Sequence, residues 1–242
     1  MKKFYYIFLF ILVLFLPLIA IPQAQIQHNF NYFPDSLSLN TISIDTLLFT
    51  KVRYASEHNR TCDTGNPELP VLYYNFIIPI DKKANQVTLT NKVFSNFNIS
   101  YPVYPVQKPI PLCLNCEAPG FCFPNAQIYS SSSVFPSDNV VSLNYGFFDR
   151  NCHILTIGIC PFEYYPSLGQ IRMLTSFDVT INLVPDTTPR SIIPIKRLSQ
   201  SQTLYDQILF KLVENTDQIS NFYSGSTIVE ELGYTPIWSS RL

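Results

Sequence analysis

The chain has 242 residues and carries 16 Lys and Arg against 17 Asp and Glu, a net charge of −1. That balance offers no basic stripe for a phosphate backbone and excludes nucleic acid as a partner. With 19 prolines, 15 tyrosines and 19 phenylalanines against 7 glycines, the composition favours short strands and stiff loops over helices.

Lys2 and Lys3 precede an uncharged apolar run from Phe4 to Ile21, with small residues at Ala20 and Ala24. This layout predicts a secretory signal peptide over residues 1–24, and so a secreted, periplasmic or cell-surface protein. A run this long can also span a bilayer, and a retained anchor is the alternative. Pro17 within the run and Ala24 behind it favour cleavage, and membrane contact follows only if the segment is kept.

A polar stretch comes next, and then Leu37–Thr50 alternates well enough for an early strand. The Gly65-Asn66-Pro67 turn leads into a strand with Leu72, Tyr74, Phe76 and Ile78 on one face, closed by Pro79. Residues 85–111 give a further strand running into an extended segment with prolines at 102, 105, 109 and 111. Few ladder donors remain there, so the segment is predicted as an edge or a surface strap. Residues 112–138 read as a long loop, the kind that is functional or mobile.

Two more strands follow in VVSLNYGFF and NCHILTIGIC, and the last clear one is in CPFEYYPSLGQIRMLTSFDVTINL. There Phe177, Val179, Ile181 and Leu183 alternate with polar residues, which makes one face apolar and the other wet. Residues 185–198 form a proline-broken linker. Leu204, Ile208, Leu209 and Leu212 recur at helical spacing, which predicts one helix near 201–215 with Ser201 or Thr203 at its start and Asn215 at its end. The fold expected is all-β, an antiparallel jelly-roll-like β-sandwich with one C-terminal helix.

Candidate chemistry is sparse. Cys62, Cys113, Cys116, Cys122, Cys152 and Cys160 in an exported chain point first to disulfides, with unpaired thiols as the second reading. Cys152 and Cys160 lie near the ends of one strand, too far apart to bond unless it bends. Zinc at the 113–122 cluster would need a fourth ligand, and no His lies nearby. His153 adjoins Cys152, but strand neighbours point to opposite faces. His58 with Cys62 is the other conceivable dyad, and a surface histidine beside a structural cysteine is the plainer reading. No phosphate loop, HExxH or GxSxG occurs. The residues imply no cofactor, no metal and no catalytic constellation.

Three ordered segments carry a resemblance: Gly65–Pro79, Tyr104–Pro111, and the stretch from Cys160 to Leu183 with the strand before it. Together they resemble the N-terminal pro-region of gingipain-type, caspase-like cysteine peptidases, over roughly residues 40–238. The resemblance implies a non-catalytic inhibitor and folding aid that occludes a cysteine peptidase domain, in cis or from a neighbouring frame, until proteolysis releases it. It implies a domain over 25–233 and the start of a missing catalytic domain over 234–242, with a junction near Gly233 and Tyr234. It also implies a basic residue presented to the substrate pocket. From Pro109 to Asp149 there is no Lys or Arg, so Lys108 and Arg150, which flank that interval, are the candidate plugs. Gly233 stands where a basic residue would precede the junction, and Arg190, Lys196 and Arg197 are alternative cleavage points. Two other readings remain: a stand-alone exported binding or surface module with the same sandwich, or the truncated start of a functional enzyme.

Overall fold

The structure is a computed structural model that describes residues 24–110, 117, 119–148, 152–188, 196–222 and 226–227. The predicted signal peptide up to Gln23, Cys113, Cys116, Arg150, Arg190 and the junction from Gly233 onward lie outside the described residues.

Two four-stranded antiparallel sheets face each other across one core. The first is built on a long ribbon of β6 (Lys82–Asn98) and β10 (Gln170–Pro185). On its other side, β10 pairs first with β9 (Phe162–Tyr165) and then with β1 (Gln25–Asn31). The second sheet runs β4 (Asn59–Arg60), β5 (Pro70–Ile78), β8 (Cys152–Ile159) and β7 (Val140–Phe148). A separate hairpin joins β2 (Leu37–Ile44) to β3 (Leu47–Tyr54).

The period-two pattern of β10 does what it predicts. Phe177, Val179, Ile181 and Leu183 are all buried, while Asp178 bonds Asn29 and Asn91 on the wet face. Register shifts between Leu174 and Asp178 let Met173 and Leu174 both turn inward before alternation resumes. Tyr32 and Tyr74 meet in the core, the Tyr74 hydroxyl donating to that of Tyr32 at 2.7 Å. Burial pushes both phenols well above their ordinary range, so the pair stays neutral.

Three local expectations need correction. The polar stretch after the signal is strand β1: Ile26 and Phe30 face the core between amide side chains that face water. Leu37–Thr50 is not one strand but a hairpin folded at Asp45, whose φ of 52° suits the short polar side chain. The loop after the strap holds a single helical turn, α1 (Ala126–Tyr129), capped by the Asn125 side chain.

The predicted late helix is α2 (Ser199–Leu212). Ser201 and Thr203 lie inside it, and Leu198 stands at its N-cap without a side-chain bond. Its buried stripe also differs from the one expected. Leu209 and Val213 pack on Ile77, Cys152 and Ile154, whereas Leu204 and Ile208 face solvent at 59% and 46% exposure. The helix thus covers the outer face of β5 and β8, which is why these two strands are apolar on both sides.

Past the helix, the chain seals the open side of β5. Glu214 donates its amide to Asn75 O at 2.8 Å. The buried Asn215 side chain accepts from Ile77 N–H and donates to Ile77 O, both at 2.9 Å, standing in for a neighbouring strand. Asn215 is therefore a clamp and not the helix cap.

Candidate functional site

The strap, the GNPELP turn and the loop at 121–125 form one unit. Gly65 has a φ of 85°, and a Cβ there would come within 3.3 Å of Phe123 O. Only glycine takes this conformation freely. In it, Gly65 N–H donates to Val106 O at 2.9 Å, and Gly65 O accepts from Asn125 N–H at 2.8 Å. Val106 N–H returns to Asn66 O, and Glu68 N–H reaches Tyr104 O. On its other side the strap bonds β3, through Thr50 N–H to Pro102 O and Tyr104 N–H to Thr50 O. Val103 and Val106 turn inward and are buried. A proline-rich strap that cannot join a ladder is thus fastened by the few amides it retains. Gly65→Ala is expected to lower stability by about 1–2 kcal/mol, read as a drop in the urea midpoint.

The last clamp on the strap is Gln107. Its amide donates to Pro105 O at 2.9 Å and Cys122 O at 3.1 Å, and its carbonyl accepts from Cys122 N–H at 2.8 Å. Lys108 follows immediately, exposed, and makes no ion pair with any described residue. Ile110 and Phe123 are exposed on the strap and its docked loop, and Phe121 lies tilted against Phe49 and Tyr104. The result is a cation carried at the end of a rigid support with apolar residues around it.

The other cations of this region are already engaged. Lys51 and Arg60 both pair with Glu68, at 3.1 and 2.9 Å, and Arg60 also reaches Glu57 at 2.5 Å. Lys51 lies 4.5 Å from the Tyr104 ring centroid. These half-buried pairs tie β3 and β4 to the turn. Sequence reasoning did not see this network or the Gln107 clamp, since both join residues whose proximity only the fold creates.

The strap end and the Phe148–Cys152 pair lie at opposite ends of strand β5. The strap end lies near the start of β5 at Gly65–Glu68. The described neighbours of Arg150, Phe148 and Cys152, pair with each other beside the end of that strand at Ile78. Eight residues of strand, roughly 26 Å, separate the two ends. Of the candidate cleavage points, Lys196 and Arg197 form the two-residue strand β11, paired in parallel with β12 (Ser226–Thr227).

Four cysteines are described, all free: Cys62 exposed, Cys122 partly buried, Cys152 and Cys160 buried. Cys152 faces the helix, while His153 turns the other way and stacks on Phe147. His58 Nδ1 accepts from Tyr73 N–H at 2.9 Å. Burial pushes the thiols of Cys152 and Cys160 up to about 12. At pH 8, iodoacetamide is expected to label Cys62 and Cys122 in the folded chain while Cys152 and Cys160 react only on denaturation, as read by peptide mass. Because an unfolded thiol ionises at lower pH, these two groups stabilise the fold fully below about pH 9 and lose that contribution as pH rises towards 12.

No group of three or more His, Cys, Asp or Glu suited to a metal occurs among the described residues. The sandwich fixes the strap and leaves Lys108 exposed at its end. The Propeptide_C25 family model matches residues 18–195, and the chain belongs to that family. It is a non-catalytic pro-region of the gingipain type. Helix α2 and the Asn215 clamp lie beyond the matched residues.

Two solved structures share the fold. One is the complex of Porphyromonas gingivalis RgpB pro- and mature domains, 16% identical, with a TM-score of 0.59 over 82% of this chain and 95% of that chain. The other concerns the zymogenic latency of gingipain K from Porphyromonas gingivalis, 15% identical, with a TM-score of 0.55 over 69% of this chain and 90% of that chain. No curated protein matches the chain.

Proposed function

We propose that this pro-region inhibits a secreted gingipain-type cysteine endopeptidase and assists its folding, by occluding the active site until proteolysis releases it. The observation that carries this reading is Lys108, an exposed cation with no ion pair among the described residues, held directly behind the Gln107 clamp. A substrate pocket that accepts a basic side chain would take Lys108 at little ordering cost, since the strap is already fixed. Joined in one chain, the two domains would meet at high effective concentration, and a cut between them would remove that advantage. Arg150 is the second candidate plug.

Export through residues 1–24 fits the start of β1. Ala24 O accepts from Leu183 N–H at 2.9 Å, so strand pairing begins at the predicted cleavage point. No helix among the described residues is long and apolar enough to cross a membrane. Release is proposed at Arg190, Lys196, Arg197 or the Gly233 junction. Pairing of β11 with β12 would have to open before a protease could bind Lys196 or Arg197.

The test is inhibition of a gingipain-type catalytic domain by the exported chain, compared with Lys108→Ala and Arg150→Ala. Lys108→Ala is expected to raise the inhibition constant at least tenfold. Loss with Arg150→Ala alone would make Arg150 the plug in place of Lys108. Full inhibition by both variants would remove the basic plug from the account.

A further inference from the structure

The strap divides at Gln107. From Pro102 to Gln107 every residue is fastened to the sandwich. Pro102 O and Tyr104 N–H bond Thr50, and Val103 O accepts from the Tyr129 hydroxyl at 2.8 Å. Val106 bonds Gly65 and Asn66, and the Gln107 side chain holds Pro105 and Cys122. Pro105 is buried and bridged to Pro67. Beyond the clamp, Lys108, Pro109 and Ile110 are exposed and make no hydrogen bond to a described residue. The fold uses Pro102 and Pro105, whereas Pro109 takes no part in its bonding.

The sequence sets Lys108 apart from the other cations. The chain has 16 Lys and Arg, and Lys108 alone among them is followed by proline. Arg150, the rival plug, is followed by Asn151. After the candidate release points Arg190, Lys196 and Arg197 stand Ser191, Arg197 and Leu198. A pocket that takes a basic side chain therefore meets two kinds of bond in this chain. One is blocked by proline and lies at the end of the strap, and the others are ordinary amides.

We propose that Pro109 makes the bond after Lys108 a bait, which the target peptidase holds without cutting, while the bonds after the basic linker residues stay open to cleavage. This rests on the reading of the chain as a pro-region with Lys108 as its plug. An exposed basic residue on an extended strap is otherwise the substrate of such an enzyme. Pro109 is the residue that turns this substrate into a lasting inhibitor.

Proline acts on both the conformation and the chemistry of that bond. It disfavours the helical region for the residue before it, which keeps Lys108 to the extended backbone of a groove-bound segment. Cleavage would join the peptidase's cysteine sulfur to the Lys108 carbonyl carbon as a thioester and break the bond from that carbon to the Pro109 nitrogen. The electron pair of the broken bond stays on the nitrogen, which must take a proton from the peptidase's general acid. In proline that nitrogen carries a ring carbon where other residues carry hydrogen. The ring obstructs the acid, and the tetrahedral intermediate collapses back to thiolate and intact amide.

The exported chain and its Pro109→Ala variant, each mixed with an active gingipain-type catalytic domain, test this by peptide mass and residual activity. The wild-type chain should stay joined at Lys108–Pro109 throughout hours of inhibition. Pro109→Ala should be cut after Lys108 roughly tenfold faster or more, with activity returning as the variant is consumed. On a catalytic domain whose nucleophilic cysteine is changed to alanine, the two chains should bind within about threefold of each other, since the same side chain enters the pocket of the same fixed strap. A wild-type chain cut after Lys108 as fast as the variant would overturn the role of Pro109, as would a variant that stays whole and inhibits for as long. Inhibition that survives Lys108→Ala unchanged would overturn the bait and leave the pro-region reading intact. Folded chains that neither inhibit nor bind would overturn the pro-region reading, and the bait with it.

Discussion

Asn215→Leu is expected to unfasten α2 from the sandwich and to lower stability by about 3 kcal/mol. The clamp meets both backbone groups of Ile77, at a strand position where β4 no longer runs alongside β5. Leucine keeps the volume but leaves a buried N–H and a buried carbonyl without partners, each costing about 1–3 kcal/mol. Glu214 N–H on Asn75 O and the His28–Glu214 contact at 3.8 Å would be weakened with it. The change is read in two ways: a fall in the urea midpoint, and new proteolytic cuts within Ser199–Leu212. A variant with unchanged midpoint and an uncut helix would show that the helix holds by its apolar face alone.

Phe177→Ala is expected to cost about 3–5 kcal/mol and to lower the melting temperature by roughly 10 °C. Phe177 is fully buried where the two sheets meet, with ring centroids 5.6 Å from Phe30 and 5.4 Å from Tyr32. Strand β1 contributes few other anchors, Ile26 and Phe30 being its buried residues. The cavity would therefore open under an edge strand. Calorimetry on the variant gives the cost, and a shift under 3 °C would mean that Phe30 and Tyr32 collapse into the space.

How far the sequence foretold this structure depended on how each segment meets water. Strand β10 was legible because its two faces meet different solvents, one core and one water. Strand β1 was hidden, since amides on its outer face made a half-buried strand look like a polar linker. The face of α2 was misjudged for a related reason. The patch it covers is small, Ile77, Cys152 and Ile154, and the stripe through Leu209 to Val213 fills it. Leu204, Ile208 and Phe210 are left over, and periodicity could not show which apolar side would be used.

The candidate site divides in the same way. The GNPELP turn and the strap announced themselves through glycine and proline, whose backbone limits are local. Gln107 on Cys122, Arg60 on Glu68 and Asn215 on Ile77 are ordinary polar residues in sequence. Their importance comes from contacts as much as 138 residues apart, which no local pattern encodes.

The central claim is that this pro-region holds a gingipain-type peptidase inactive. It is tested most directly by titrating the folded exported chain into the catalytic domain and following cleavage of a peptide substrate. The account predicts saturable inhibition at one chain per active site, lost after the chain is cut at its basic linker. Full peptidase activity at saturating concentrations of a folded chain would contradict it.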